Sequence, residues 1–406
     1  MKYAVLVGDG MGDYPLGELG GKTPLSAANT RHMDWVADHG EMGLVRTIPE
    51  GCETGSDTAN LSLLGYDPRV AGCRRGPLEA ASLGVALAPE DVAFRCNLVT
   101  LGESDEGPVM EDYSAGHITS VESRRLIQDI EERLGDQTFR FYPGVSYRHL
   151  MVWKGGRDAI DTMPPHDITG QAVQPYMDRM ASSGGERLLE LMSAAEAVLR
   201  DHPVNVARRE NGKKPANYIW FWGQGHAPHL EAFKKKTGLS GAMISAVDLL
   251  RGIGVYTGFQ VIRVPGATGY LDTDYDAKAR YALWALEDVD LVYVHVEAPD
   301  EAGHAGLLEE KIAAIEAFDS RVVGKVLEGL KGFPEHRVMV AMDHHTPISV
   351  RTHTTEPVPF AMAGTGISSP PGGHSPGFSE AAAQARSFLL EEGHRLMARF
   401  VGLGSE

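Results

Sequence analysis

Near its N-terminus the chain carries the apolar run Ala4-Val5-Leu6-Val7, which is followed directly by Gly8 and Asp9. Two further runs of the same kind lie far along the chain, Leu291-Val292-Tyr293-Val294 and Val338-Met339-Val340-Ala341. Apolar runs of this length, bounded by Gly or charged residues, are typical of buried strands. In a parallel sheet the carboxyl ends of the strands open on one edge, where ligands bind. We therefore predict an α/β fold with a mostly parallel sheet flanked by helices.

Residues with metal-binding side chains follow each of the three runs. An aspartate follows the first run, an aspartate and a histidine four residues apart follow the second, and an adjacent Asp-His pair follows the third, with another histidine nine residues later. Taken singly, such residues are typical of helix caps, turns or buried histidines. Together, carboxylates and imidazoles without thiolates suit Mn²⁺, Zn²⁺ or Mg²⁺, so this edge can hold two divalent cations. The candidate ligands are Asp9, Asp300, His304, Asp343, His344 and His353.

A serine at a predicted helix start adds a nucleophile to this set. Ser56 follows Gly55 and precedes the apolar residues of a helix predicted over 56–64. A hydroxyl at a helix N-terminus lies beside free backbone N–H groups, which favour a phosphate. Placed on a divalent cation, the serine can attack phosphorus and form a phosphoserine. From this segment alone, a plain Ser or Thr N-cap is the better interpretation.

Length and charge limit the architecture and the partners. A chain of 406 residues predicts two domains, because single cores stop growing near roughly 250–300 residues. The formal net charge of −17 argues against nucleic acid or an anionic membrane as partner. Three widely spaced cysteines, the lack of a signal-peptide pattern and the lack of a membrane-length apolar stretch indicate a cytoplasmic protein. The sequence does not indicate an oligomeric state.

The texture of the sequence changes in the middle of the chain. Strand and helix patterns alternate up to about residue 98 and again from about residue 216, and the stretch between them is different. We therefore predict a discontinuous metal-binding domain, 1–98 with 216–406, and an inserted smaller α+β domain, 99–215, with a linker at 208–215. In the second half, helices are predicted at about 242–251, 276–287, 307–330 and 379–400, and strands at 217–222, 259–264, 290–296 and 337–342.

Longer motifs resemble the archaeal-type branch of the cofactor-independent phosphoglycerate mutases, within the alkaline phosphatase superfamily. They are Gly-Asp-Gly-Met at 8–11, Thr-Gly-Ser-Asp-Thr-Ala-Asn-Leu at 54–61, Leu-Gly-Tyr-Asp-Pro at 64–68, Gly-Pro-Leu-Glu-Ala-Ala at 76–81, Val-Pro-Gly-Ala-Thr-Gly at 264–269, Ala-Pro-Asp-Glu-Ala-Gly-His at 298–304 and Met-Asp-His-His-Thr-Pro at 342–347. The match runs over nearly the whole chain.

The resemblance implies an alkaline-phosphatase-like fold, a metal-dependent glycolytic isomerase and a phosphorylated small-molecule substrate. The family interconverts 3-phosphoglycerate and 2-phosphoglycerate without 2,3-bisphosphoglycerate, and the inserted domain would close over glycerate and keep water out. Ser56 would take the phosphoryl group at a site with two divalent metal ions. The expected metal is Mn²⁺. The resemblance assigns two ligand sets: Asp9, Ser56, Asp343 and His344 for one metal, and Asp300, His304 and His353 for the other.

Residues that bind the substrate are harder to identify. Arginine suits the carboxylate and phosphate groups of a phosphoglycerate, so Arg95 and Arg148 are candidates, and His117 is a candidate proton donor. Arg74 and Arg75 are weaker candidates, because 71–76 departs from the tyrosine-rich form expected for the branch.

Alternative functions keep the same fold and change the phosphoryl acceptor. The segment 95–101 resembles homoserine kinase-like relatives, but the stretch 17–23 fails the phosphate-loop pattern because position 16 is leucine. A metal-dependent phosphatase, with water as acceptor, is another reading. A non-catalytic binding module would not require the full set of metal-type residues.

Overall fold

The computed structural model describes residues 1–105, 107–368 and 377–403. The strands within these ranges are β1 Lys2–Gly8, β2 Glu41–Val45, β3 Val92–Ser104, β4 Gly107–Asp112, β5 Phe139–Val145, β6 Arg148–Trp153, β7 Tyr218–Gly225, β8 Gly241–Ile244, β9 Gln260–Ile262, β10 Leu291–Val296, β11 His336–Ala341, β12 Val358–Gly364 and β13 Leu389–Leu390.

Helices occupy much of the remaining described chain. The α-helices are α1 Pro24–Ala27, α2 Arg31–Asp38, α3 Ser56–Leu63, α4 Pro68–Ala71, α5 Arg75–Ser82, α6 Ser120–Leu134, α7 Gln174–Ser182, α8 Glu186–Leu199, α9 Pro203–Glu210, α10 Phe233–Thr237, α11 Asp248–Tyr256, α12 Tyr275–Asp288, α13 Ala298–Ala305, α14 Leu308–Ala317, α15 Gly324–Leu330, α16 Glu380–Ala385 and α17 Leu396–Val401. Short 3₁₀ turns lie at Gly17–Leu19, Pro165–Ile168 and Gly393–Arg395, and Phe318–Val323 is π-helical between α14 and α15.

Strand β1 lies inside a large sheet, and Ala4 to Val7 are completely buried. Among the described residues this sheet has eight strands in the order β13-β2-β12-β11-β1-β10-β8-β9. β1 pairs in parallel with β10 on one side and β11 on the other, and its Val7 is level with His295 and Ala341. Only β12 among these strands runs antiparallel to its neighbours. The predicted mostly parallel α/β fold is confirmed.

A second sheet is antiparallel and has its own core. Its strands follow the order β4-β3-β6-β5, and β7 pairs with the other edge of β3. Phe94, Trp220 and Phe221 are completely buried beneath it, together with apolar residues of α6 and α8. No helix in the described part of the chain is long and apolar enough to cross a membrane.

The described chain divides into two compact units, Met1–Gly72 with His229–Glu406, and Cys73–Pro228. These limits differ from the predicted ones, 1–98 with 216–406 and 99–215. Strand β3 continues past residue 98 without a break. Strand β7 pairs with β3, and Leu98 lies opposite Ile219, so both strands belong to the second unit. Strand and helix periodicity alone does not show which sheet a strand joins.

Three local predictions were wrong. The predicted helix at 242–251 begins as strand β8, which pairs in parallel with β10, and only then becomes helix α11. The predicted helix at 379–400 is interrupted by β13, which pairs with β2. The expected linker 208–215 starts inside α9, where Arg208 is buried and donates hydrogen bonds to the backbone oxygens of Lys214 and Ala115.

Candidate functional site

The parallel strands bring three aspartates to one edge of the large sheet. Asp9 follows β1, Asp343 follows β11 and Asp300 lies in α13 just after β10, and all three are buried. Gly10 makes this approach close: its N–H donates to Asp343 Oδ1 (3.1 Å), and a Cβ at this position would lie 2.6 Å from Asp300 Oδ1. Its φ of +60° also favours glycine.

The first predicted ligand set comes together around Ser56. The Ser56 hydroxyl lies 3.1 Å from His344 Nε2 and 3.4 Å from Asp9 Oδ2. His344 Nε2 in turn lies 3.4 Å from Asp9 Oδ1 and 3.6 Å from Asp343 Oδ2. Residues more than 280 positions apart in sequence therefore surround one hydroxyl oxygen.

The second predicted set is equally close. His304 Nε2 lies 3.3 Å from Asp300 Oδ2 and 3.0 Å from His353 Nε2, and His353 Nε2 lies 3.6 Å from Asp300 Oδ1. The four-residue spacing in α13 gives the Asp300–His304 contact, as the sequence predicts. The His344 and His353 rings, one from each set, are 4.1 Å apart between centroids, so the two sets are adjacent.

Helix α3 presents Ser56 at its first position, and Asn60 one turn later holds it to the metal-type residues. The Asn60 side-chain amide donates to the backbone oxygen of Ser56 (2.8 Å) and to Asp343 Oδ2 (2.9 Å). Its oxygen accepts a hydrogen bond from the Tyr293 hydroxyl (2.5 Å). The candidate nucleophile and a candidate ligand are thus connected through one fully buried amide.

His295, the buried histidine near the end of β10, was not predicted from the sequence as a site residue. Its Nε2 lies 3.1 Å from Asp9 Oδ2 and 3.8 Å from Asp343 Oδ2. Lys278, also buried, donates to the backbone oxygen of His295 (2.9 Å). A polar residue inside an otherwise apolar strand, two positions after Tyr293, was the signal in the sequence.

Asp9, Asp300 and His304 at this edge have strongly shifted pKa values. Burial raises the pKa of Asp9 well above its ordinary value, and the nearby carboxylates of Asp343 and Asp300 raise it further. Burial also opposes ionisation of Asp300, but hydrogen bonds from His304 and His353 hold its pKa well below the ordinary value. The hydrogen bond to Asp300 raises the pKa of His304 to about 9.

A metal ion fits these donors. Asp9 Oδ1 is completely buried and accepts no hydrogen bond from any residue in the described ranges, which is unusual for a carboxylate oxygen. Three groups of side chains have ligand atoms within 4.8 Å of one another at this edge, with only oxygen and imidazole nitrogen donors. These groups are Asp9–His295–Asp343, Asp9–Asp300–His344 and Asp300–His304–His353.

In the second unit, Arg95 is buried beside an aromatic side chain. The Arg95 guanidinium forms an ion pair with Glu79 and lies 4.5 Å from the centre of the Trp222 ring. Its Nε has no hydrogen-bond partner among the described residues. Burial lowers the pKa of Arg95, and the positive charges of Arg75 and Arg148 nearby lower it further. The Glu79 carboxylate acts in the opposite direction and raises the pKa of Arg95.

The other two substrate candidates share a tyrosine. Arg148 lies 5.3 Å and the His117 ring 6.4 Å from the ring centre of Tyr147. Tyr113 and His166, neither of them singled out from the sequence, continue from Tyr147 towards Trp222, with successive ring centres 5.7, 6.0 and 5.3 Å apart. Aromatic and cationic residues from four separate segments thus form one patch, which spacing along the chain does not reveal.

Comparison with known proteins assigns the family. A profile described as 2,3-bisphosphoglycerate-independent phosphoglycerate mutase matches residues 37–205. A probable 2,3-bisphosphoglycerate-independent phosphoglycerate mutase of Geobacter sulfurreducens is 53% identical over 397 residues, covering 98% of each chain. The mutase of Methanosarcina acetivorans is 54% identical over 376 residues, covering 92% of this chain and 93% of its own.

Solved structures agree with this assignment. A protein from Pyrococcus horikoshii has a TM-score of 0.83 at 30% identity, covering 100% of this chain and 98% of its own. The cofactor-independent phosphoglycerate mutase of Thermoplasma acidophilum has a TM-score of 0.66 at 28% identity, with both chains covered completely. The identity and coverage of the curated relatives, over almost the full length, show that the chain belongs to the 2,3-bisphosphoglycerate-independent phosphoglycerate mutase family.

Proposed function

We propose that the protein interconverts 3-phosphoglycerate and 2-phosphoglycerate without 2,3-bisphosphoglycerate, through a phosphoserine on Ser56. The observation that carries the proposal is the position of the Ser56 hydroxyl, 3.1 Å from His344 Nε2 and 3.4 Å from Asp9 Oδ2. Family membership supports the substrate, and the site supports a nucleophile surrounded by metal-type side chains. Cys52, Cys73 and Cys96 form no disulfide bond with one another, which supports the proposed cytoplasmic location.

Two divalent cations, preferably Mn²⁺, would be held by the two ligand sets. Asp9, Ser56, Asp343 and His344 would hold one, and Asp300, His304 and His353 the other. Bound there, the cations would offset the charge of the transferring phosphoryl group and favour ionisation of the serine hydroxyl. The excess of buried carboxylate at this edge supports the assignment, because the negative charges need neutralisation.

The chain itself would contribute the nucleophile, the Ser56 hydroxyl, which is regenerated at the end of each cycle. Ser56 Oγ attacks phosphorus, and a P–Oγ bond forms as the bond between phosphorus and glycerate O3 breaks. The proton lost by the serine hydroxyl is balanced by the proton that glycerate O3 gains. Glycerate then reorients, its O2 hydroxyl attacks the phosphoserine, and the serine recovers its proton as the P–Oγ bond breaks. Atoms and charges balance over the cycle, so no other phosphoryl donor is consumed.

We further propose that the Cys73–Pro228 unit holds glycerate during this reorientation and excludes water. Arg95 and Arg148 would bind the carboxylate or phosphate, and His117 would donate a proton. The nearby guanidinium groups of Arg95, Arg75 and Arg148 support this role, because guanidinium groups bind these anions through paired hydrogen bonds. Water entering at this stage would hydrolyse the phosphoserine and turn the mutase into a phosphatase.

Replacing Arg148 with methionine tests the anion-binding role. Arg148 is exposed, so the fold should be unaffected, and loss of a charge-assisted contact of about 1.5–3 kcal/mol should raise KM for 3-phosphoglycerate about 10- to 100-fold. The matched control is Arg140→Met on the same hairpin, which removes an exposed arginine paired with Glu131 and should leave KM unchanged. Steady-state kinetics on both variants decide the point. An Arg148→Met enzyme with wild-type KM would refute the role.

The reaction itself is tested by supplying each acceptor separately. Purified Mn²⁺-loaded protein is incubated with 3-phosphoglycerate and enolase, without bisphosphoglycerate, and in parallel with ATP and homoserine. We expect phosphoenolpyruvate in the first reaction and no O-phosphohomoserine in the second. Free phosphate as the sole product would identify a phosphatase, and O-phosphohomoserine would identify a kinase, so either result would overturn the proposed function.

A further inference from the structure

Thr346 contacts one candidate ligand from each metal set. Its hydroxyl lies 2.5 Å from Asp300 Oδ1 and 3.2 Å from His344 Nδ1. Thr346 is completely buried, and it lies two residues after His344 in the loop that follows β11. In the described structure this one oxygen therefore joins the two ligand sets directly.

The protons at this hydroxyl can be assigned from its neighbours. A hydroxyl has one hydrogen to donate, and an ionised carboxylate only accepts, so Thr346 donates to Asp300. The contact with His344 must then use an oxygen lone pair, with Nδ1–H of the imidazole as donor. Neutral His344 consequently carries its free lone pair on Nε2, the atom that faces Ser56 Oγ and Asp9 Oδ1. This is the tautomer that metal coordination through Nε2 requires.

The backbone of Thr346 is fixed by a buried cation. Lys311 of α14 donates to the backbone oxygens of Thr346 (2.8 Å) and Gly12 (3.0 Å) and to Asp13 Oδ2 (2.8 Å). The backbone N–H of Thr346 donates to Gly12 O (3.2 Å). Lys311 is completely buried, so these bonds cannot be exchanged for water without opening the loop.

Helix α13 packs against the same backbone. A Cβ at Gly303 would lie 2.5 Å from the Thr346 backbone oxygen, which shows how closely the Asp300-bearing helix approaches this loop. Any displacement of Thr346 would thus move the helix that carries Asp300 as well. With the backbone held in this way, the Thr346 hydroxyl lies between Asp300 Oδ1 and His344 Nδ1.

We propose that Thr346 is a positioning residue that sets the His344 tautomer and the orientation of Asp300, so that both ligand sets bind metal together. The inference rests on the proposed two-metal function and adds a residue outside the two predicted ligand sets. A purely structural role for Thr346, filling space in the loop, would need its volume and methyl group but no hydroxyl.

Metal titration of matched variants separates these roles. Mn²⁺ is titrated calorimetrically into the metal-free full-length wild type, Thr346→Val and Thr346→Ser, without substrate. Loss of a hydrogen bond to a ligand should weaken Mn²⁺ binding about 10- to 100-fold in Thr346→Val, whereas Thr346→Ser keeps the hydroxyl and should stay within about threefold of wild type. The control is Thr257→Val, which removes another fully buried hydroxyl, between α11 and β9. This variant should bind Mn²⁺ as tightly as the wild type. Wild-type affinity in Thr346→Val overturns the proposal.

A measurement on the wild-type protein does not depend on how the variants fold. With ¹⁵N-histidine labelling, NMR of the metal-free protein reports which imidazole nitrogen carries the proton, and a His344→Gln sample identifies the resonance. We expect His344 protonated on Nδ1, and protonation on Nε2 alone overturns the proposal. Neither experiment uses phosphoglycerate, so failure of the proposed mutase reaction and failure of this inference give different results.

Discussion

Replacing Ser56 with alanine is expected to lower mutase turnover by at least about 10³-fold, because no oxygen remains to accept the phosphoryl group. The hydroxyl is partly buried and contacts Asp9 and His344, so its loss should change the free energy of unfolding by less than about 1 kcal/mol. The measurement is the enolase-coupled rate with 3-phosphoglycerate, together with thermal unfolding of the same sample.

Ser62 provides a matched control on the same helix. It is completely buried, and its hydroxyl has no hydrogen-bond partner within the described residues. Ser62→Ala removes the same atom from α3 without touching the site, so its turnover should equal that of the wild type. A Ser56→Ala enzyme that retains turnover within tenfold of Ser62→Ala would exclude Ser56 as the nucleophile.

Asp9→Asn should strongly lower metal-dependent turnover while leaving the metal-free fold intact or more stable. Burial and two neighbouring carboxylates raise the pKa of Asp9, so its ionised form is unfavourable in the metal-free fold. A neutral amide relieves that repulsion, and we expect the metal-free Tm to equal the wild-type value or exceed it by about 2–4 °C. Turnover should fall at least about 100-fold, because the amide supplies no negative charge to the metal.

Thermal unfolding with and without Mn²⁺ measures both halves of this prediction. Mn²⁺ should raise the Tm of the wild type, since a ligand that binds the folded state stabilises it, and should have much less effect on Asp9→Asn. Asp288→Asn, an exposed change of the same kind at the end of α12, should behave like wild type. A strongly destabilised metal-free Asp9→Asn would show that the carboxylate has a structural role instead.

The sheet edge could be predicted because each of its parts is a local pattern. Short apolar runs indicate buried strands, parallel strands share one carboxyl edge, and the residues after them, Asp9 and Asp343, must then meet. The four-residue spacing of Asp300 and His304 is likewise local, and the helix that it implies is present. The structure brings all of these candidates together with Ser56.

What could not be predicted depends on pairing between distant segments. The sequence predicts a helix where β8 lies, because a short apolar run does not show whether its hydrophobic period is that of a helix or of a strand. Its pairing with β10 makes it a strand. The limits of the second unit depend on β7 joining β3. Thr346 and His295 act through contacts with residues far away in sequence, so neither spacing nor composition distinguishes them from ordinary loop and strand residues.

The patch of aromatic and cationic residues in the second unit was only partly predictable for the same reason. Arg95 and Arg148 could be named from residue type, since guanidinium groups suit phosphoglycerate. Trp222, which lies beside Arg95, comes from another strand of the antiparallel sheet, whereas Tyr147 directly precedes Arg148 in the sequence. The centre of the His166 ring lies 5.3 Å from the centre of the Trp222 ring. Only the fold reveals this contact, because no pattern in the sequence marks His166.

X-ray diffraction from crystals of the Mn²⁺-loaded protein, collected at the manganese absorption edge, tests the bimetallic site most directly. The anomalous map should show two peaks at the carboxyl edge of the large sheet. One peak should be bound by Asp9, Ser56, Asp343 and His344, and the other by Asp300, His304 and His353. A map with no peak at these side chains, or with one peak that Ser56 does not touch, would contradict the account.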